Sequence, residues 1–158
     1  MKVEIGLSHE SLKSGSDLLN RILSDEFVLY TKLKNYHWNV KGINFNELHK
    51  LFDEQAEQIS GLIDEVAERV RQLGYRASGS FFEYLNKTRL QEETKENLTS
   101  KQMLANILAD HEALARNLRK DIELFNNEYA DVGTGDFVTG LLQEHEKLAW
   151  FVRSHLDE

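Results

Sequence analysis

From about Asn44 to Leu73, Leu48, Phe52, Ile59, Leu62, Ile63, Val66, Val70 and Leu73 recur at the spacing of one α-helical stripe. A stripe of that length cannot be buried by its own helix and needs partners of similar length. Three further patterns supply them. The first runs from about Glu10 to Asn39, with Leu19, Ile22, Leu23, Phe27, Tyr30, Leu33 and His37 on a broad face and Gly42 placed to end it. Another begins near Thr99 or Ser100 and carries Leu104, Ile107, Leu108, Leu114, Leu118, Ile122 and Phe125. The last follows a polar turn, "NNEYADVGTGD", and carries Phe137, Val138, Leu141, Leu148, Trp150, Phe151 and Val152. Gly74 closes the second pattern, and "SFFEYL" in the long central connection predicts a short helix capped by Ser80. Proline, the strongest helix breaker, is absent. The expectation is an all-α chain: a four-helix bundle in which the long connection, with its extra helix, crosses over the bundle.

A chain of 158 residues makes one domain, here 1–158 with a short N-terminal tail of about 1–8. Without cysteine there is no thiol chemistry, disulfide framework or cysteine-held metal. The start, "MKVEIGLSHE", has no apolar leader core, and no run is apolar enough to span a membrane, so a soluble cytoplasmic protein is expected. Nineteen basic against 27 acidic residues give a net charge of −8, which opposes non-specific attraction to nucleic acid or anionic lipid.

The second helix carries a patterned set of possible ligands. His49 and Asp53 are four residues apart, as are Asp64 and Glu68, so each pair shares a helix face. On an ideal helix all four fall within about 100° of arc, yet His49 and Asp64 are separated by about 22 Å along the axis. Metal–ligand bonds of about 2 Å cannot bridge that gap. The two pairs are, however, symmetric about positions 58–59. An identical helix, antiparallel across a two-fold axis, would set His49 opposite the partner's Glu68 and Asp53 opposite the partner's Asp64. Ala56, Ser60 and Ala67 are small enough to permit close approach there. His37, near the end of the first helix, could supply a second imidazole. Two imidazoles with three carboxylates suit iron(II), zinc or manganese rather than copper(I), and an incomplete shell would admit an oxidant.

Other polar clusters point elsewhere. In "DHE" (110–112) and "EHE" (144–146), neighbours diverge by about 100° and do not converge on one ion. His111 shares the apolar face of Ile107 and Leu114, which predicts a buried or interfacial role; His145 could face a cavity or symmetry axis. Glu26 interrupts an apolar face and reads as a buried acid. The Glu-x-x-His pair of an ordinary intrasubunit di-iron bundle is absent.

Read as a whole, "EFVLYTKLKNYHWNVKGINFNELHKLFDEQAEQISGLIDEVAERVRQLG", with "GSFFEYLNKTRLQEE" and the later "HEKLAWFVRS", resembles the Dps family, the mini-ferritins named for DNA-binding proteins from starved cells. The resemblance implies a ferritin-like subunit assembled as a hollow dodecamer from two-fold dimers. It also implies oxidation of Fe(II) by hydrogen peroxide, storage of ferric mineral and thereby protection of DNA. The ligands it implies are His37, His49 and Asp53 from one subunit and Asp64 and Glu68 from its dimer mate, with zinc or another divalent metal able to substitute for iron. Trp38 matches a tryptophan beside that site that quenches radicals or reports on iron, and Asp131 and Asp136 match a region lining three-fold pores; helix capping is the plainer role for those two acids. Many relatives have proline where Ile43 stands. Relatives that bind DNA often carry a Lys/Arg-rich tail, whereas "MKVEIGLSHE" and "SHLDE" make a poor phosphate-binding arm, so direct DNA binding is expected to be weak or absent. The alternatives are a DNA-compacting protein, or a helical oligomer whose acids and histidines serve only its interfaces.

Overall fold

The computed structural model describes residues 3–156. Lys2 and the terminal acids Asp157 and Glu158, on which part of the nucleic-acid expectation rests, lie outside the described residues. Four long helices, α1 (His9–Asn39), α2 (Phe45–Gln72), α4 (Ser100–Glu123) and α5 (Val132–Ser154), are joined by short links and one long connection that carries α3 (Phe81–Lys87). Their starts are set by local chemistry. The Ser8 Oγ accepts from the Ser11 N–H at 3.0 Å, and Ser80 caps α3 as its sequence predicts. At α4, Thr99 and Gln102 form a reciprocal capping box that satisfies two amide donors otherwise without partners.

The connection between α2 and α4 runs the length of the bundle. At one end, a Cβ on Gly15 of α1 would lie 3.2 Å from Phe125, beyond the end of α4, and 3.5 Å from Leu73, just past α2. At the other end, Asn106 of α4 donates to the Tyr36 hydroxyl near the end of α1 at 2.9 Å. The chain therefore leaves α2 at one end and enters α4 at the other, as the expected crossover requires. α3 is pinned on the way by Tyr84, whose ring stacks on Phe27 at 4.0 Å. Next, Arg89 bridges Asp25 of α1 and Asp121 of α4.

The polar stretch before α5 is shorter than its composition suggests. Leu124–Glu128 continues α4 as a π-helical turn, and α5 starts at Val132, taking "VGTGD" into the helix. Gly135 leaves room there for the Asn126 side chain, whose Oδ1 would lie 2.2 Å from a Cβ at that position. Asp131 is the N-cap of α5.

The core divides into two apolar clusters. One gathers Leu29, Leu33, Phe52, Ile59, Leu114 and Leu148, among others; the second gathers Leu19, Ile22, Val66, Val70, Phe125 and Val138. Glu26 on α1 and His145 on α5 fall at their junction. Among the described residues, no helix is long and apolar enough to cross a membrane.

Candidate metal centre

The link between α1 and α2 brings two histidines face to face. Val40 ends α1, and Gly42, at a φ of +118° that a side chain would strain, turns the chain so that α2 begins at Phe45. One turn later His49 lies against His37, with ring centroids 3.9 Å apart and planes 20° apart, while Phe45 stacks on the other side of His49 at 5.1 Å.

Each imidazole is locked by the other residue's backbone. The His37 Nδ1 lies 2.7 Å from the His49 carbonyl, and the His49 Nδ1 lies 2.8 Å from the His37 carbonyl. A carbonyl only accepts, so both Nδ1 atoms carry hydrogen and both Nε2 atoms present a lone pair when the rings are neutral. The His37 carbonyl belongs to the last turn of α1, where no amide follows to satisfy it, so the bond also caps that helix. Anchoring the non-ligating nitrogen on an oxygen is how proteins orient histidine toward a metal.

Asp53, one turn beyond His49, lies beside this histidine pair. Its Oδ1 lies 3.8 Å from the His37 Nε2 and accepts from Lys34 Nζ at 2.6 Å. The lysine hydrogen bond, helped by the nearby histidines, holds the Asp53 carboxyl below its usual range, and the same bond raises the Lys34 ammonium. Sequence reasoning missed Lys34. The signal for it was its position three residues before His37, on the same face of α1. Its ammonium rests on the oxygen a cation would take, so binding of a metal there requires Lys34 to move aside.

Asp64 and Glu68 are exposed further along α2. Among the described residues neither has an ion-pair or side-chain hydrogen-bond partner, and no group of three or more histidine or acid side chains within the one chain is arranged to hold a metal ion. Trp38, beside His37, is 68 % exposed. Of the three small residues, Ser60 is exposed, Ala67 is half-buried, and Ala56 is buried at the floor of a groove edged by Tyr30, Lys34, Glu57 and Ser60. Asp131 is buried and accepts from the Thr134 amide at 3.0 Å, with Arg69 Nη2 at 3.7 Å. It acts as a cap, while Asp136, in the next turn, is exposed.

The ferritin-like crossover bundle agrees with comparisons to known proteins. The ferritin-like domain family matches residues 16–158. A low temperature-induced protein of Nostoc is 41 % identical over 99 % of this chain and 87 % of its own length. DNA protection during starvation protein 2 of Bacillus anthracis is 36 % identical over 90 % of this chain and 96 % of its own. The chain belongs to the Dps family. Its fold is that of the Dps protein of Vibrio cholerae, described as a ferritin-like diiron-carboxylate protein, with a TM-score of 0.91 at 30 % identity, covering 99 % of this chain and 97 % of that one. In this Dps chain His37, His49 and Asp53 are brought together, and Asp64 and Glu68 stand apart from them on the same helix.

Sequence reasoning also missed a second polar assembly. Glu26, Gln55, His111 and His145 meet inside the bundle, and His145 is buried in the core rather than facing a cavity or axis. Glu26 and His111 each read as buried from their apolar neighbours; their convergence needed the packing of all four helices.

Proposed function

We propose that this Dps chain is a ferroxidase and iron-storing mini-ferritin whose sites form between two subunits. The observation that carries the reading is the reciprocal locking of His37 and His49, which leaves both Nε2 lone pairs unused by the backbone, that of His37 3.8 Å from the Asp53 Oδ1. A two-fold partner with α2 antiparallel would add its Asp64 and Glu68 to this half-site and take theirs in return, so each dimer has two sites. Ferrous iron is the substrate. Two Fe(II) ions give up one electron each, the O–O bond of hydrogen peroxide breaks, and two protons complete two waters. The carboxylates stabilise the ferric product by charge, and the imidazoles fix position. Closure of such dimers into a dodecamer would enclose the mineral, with exposed Asp136 available to line an entry. Zinc or another divalent ion would compete for the same donors. Removing iron and peroxide together protects DNA without contact, in keeping with a net charge of −8 that disfavours phosphate binding. A cytoplasmic location fits that role.

Anaerobic Fe(II) loading followed by hydrogen peroxide tests this. Ferric absorbance and residual peroxide should show rapid, coupled loss, slowed about 100-fold or more in His49→Ala with assembly intact. A purely structural interface is the second reading, favoured by the Lys34–Asp53 ion pair. Equal, slow oxidation in both proteins would select it.

A further inference from the structure

One polar side chain from each long helix meets the others inside the bundle, and none of the residues assigned above to iron is among them. Glu26 on α1, His111 on α4 and His145 on α5 are fully buried, and Gln55 on α2 is 2 % exposed. The Gln55 Nε2 donates to the Leu148 carbonyl at 3.3 Å, which turns its Oε1 toward His111 Nε2 at 3.2 Å. That nitrogen must therefore carry hydrogen. Burial and the neighbouring ring hold the His111 pKa well below the ordinary histidine range, so its Nδ1 presents a lone pair. His145 Nδ1, 3.0 Å away, must donate to it. One more proton lies between His145 Nε2 and Glu26 Oε1, 2.8 Å apart, and among the described residues Glu26 Oε2 has no partner.

Wherever that last proton resides, the assembly is neutral. Other buried acids have basic partners: Asp25 and Asp121 share Arg89, and Asp110 pairs with Lys32. Among the described residues Glu26 pairs with His145 alone. Each imidazole thus has its Nε2 hydrogen-bonded to a side-chain oxygen and its Nδ1 aimed at the other ring, the outer arrangement that orients histidines around a metal.

We propose that His111 and His145 form a buried two-histidine site for one monovalent d10 cation of the Cu(I) class. The ion replaces the proton on His145 Nδ1. Two metal–nitrogen bonds form, one N–H bond breaks, and the proton leaves to solvent without electron transfer. His145 keeps its Nε2–H, and the Glu26 carboxylate balances the single positive charge. A divalent ion would leave one unit of charge uncompensated in a dry core, which is strongly unfavourable. The rings need to part from 3.0 Å to just under about 4 Å to admit an ion with bonds of about 2 Å.

The test uses the assembled, full-length protein equilibrated for hours with chelator-buffered Cu(I), and separately with Zn(II). Wild type should retain one Cu(I) per chain after desalting, in a two-nitrogen coordination by X-ray absorption, with one proton released per ion; Zn(II) should not enter this site. Glu26→Gln, which keeps the shape and removes the charge, should weaken retention at least about tenfold, and His145→Gln should abolish it. Helicity and assembly are checked for each variant. Absence of the two-nitrogen Cu(I) signal in wild type, Zn(II) bound there as tightly, or equal retention in folded Glu26→Gln would each overturn the proposal. The wild-type comparison needs no variant to fold.

Discussion

Arg89 is the clamp that holds the crossover connection to the bundle, and replacing it with methionine should cost stability in a way that depends on pH. Its guanidinium lies 2.7 Å from Asp25 of α1 and 2.8 Å from Asp121 of α4, and its amide and the Thr88 hydroxyl donate to Asp25 at 2.6 and 3.0 Å. Asp25 is fully buried and Asp121 is 4 % exposed. Removing one partner from a buried ion pair costs about 3–5 kcal/mol because the other charge is left uncompensated. Desolvation already raises both carboxyls even against the arginine. Without it they rise further. A carboxyl with a folded pKa above its unfolded value is most stabilising when protonated, and that contribution is lost as pH rises through the folded pKa. The variant should therefore lose most, about 3–5 kcal/mol, at alkaline pH, where unpaired carboxylates carry their largest cost. It should recover about 1.4 kcal/mol relative to wild type per pH unit, for each carboxyl protonated only in the folded chain, as pH falls toward 5. Urea unfolding followed by helicity at fixed protein concentration measures this. A penalty that is flat with pH, or that grows in acid, would show that unpaired carboxylates do not carry the cost.

Two smaller perturbations probe the site and the end of α2. Lys34→Met removes the ammonium from Asp53 and should tighten Zn(II) binding to the half-site severalfold, while raising the pH at which Asp53 becomes available; unchanged affinity in a calorimetric titration would mean that Lys34 does not compete with the cation. Gly74→Ala should destabilise by about 1–2 kcal/mol, because φ is +91° and a Cβ would lie 2.6 Å from Val3 Cγ2; an unchanged melting temperature would contradict that geometry.

The fold was largely legible because the helices announce themselves twice, by apolar period and by caps. Thr99 and Ser80 sit at helix starts as their residue types predict, and Gly42 and Gly74 adopt the positive φ that follows a helix end. The start of α5 was less legible: Gly133 and Gly135 read as turn residues, yet both lie within the helix, Gly135 because Asn126 packs where its side chain would stand. At the candidate centre, His49 and Asp53 were visible as a four-residue pair, and His37 joined them through a short link whose reversal the glycine signals. Lys34 was hidden because a lone lysine on a helix most often faces solvent. The Glu26–His145–His111–Gln55 assembly was hidden more deeply. Its hydrogen-bonded pairs are separated by 34 to 119 residues along the chain, and only helix packing makes them neighbours.

The central claim is that each ferroxidase site draws its histidines from one subunit and its distal acids from another, and mixing two defective subunits tests it directly. Assemblies of His49→Ala alone and Asp64→Ala alone have both sites of every dimer crippled. A mixed dimer places the two defects in one site and leaves the other whole. Co-assembly at equal ratio with random pairing should therefore restore peroxide-driven Fe(II) oxidation to about a quarter of the wild-type rate. If the mixture performs no better than the average of its two parents, while mass spectrometry shows mixed dimers present, the sites are not shared between subunits.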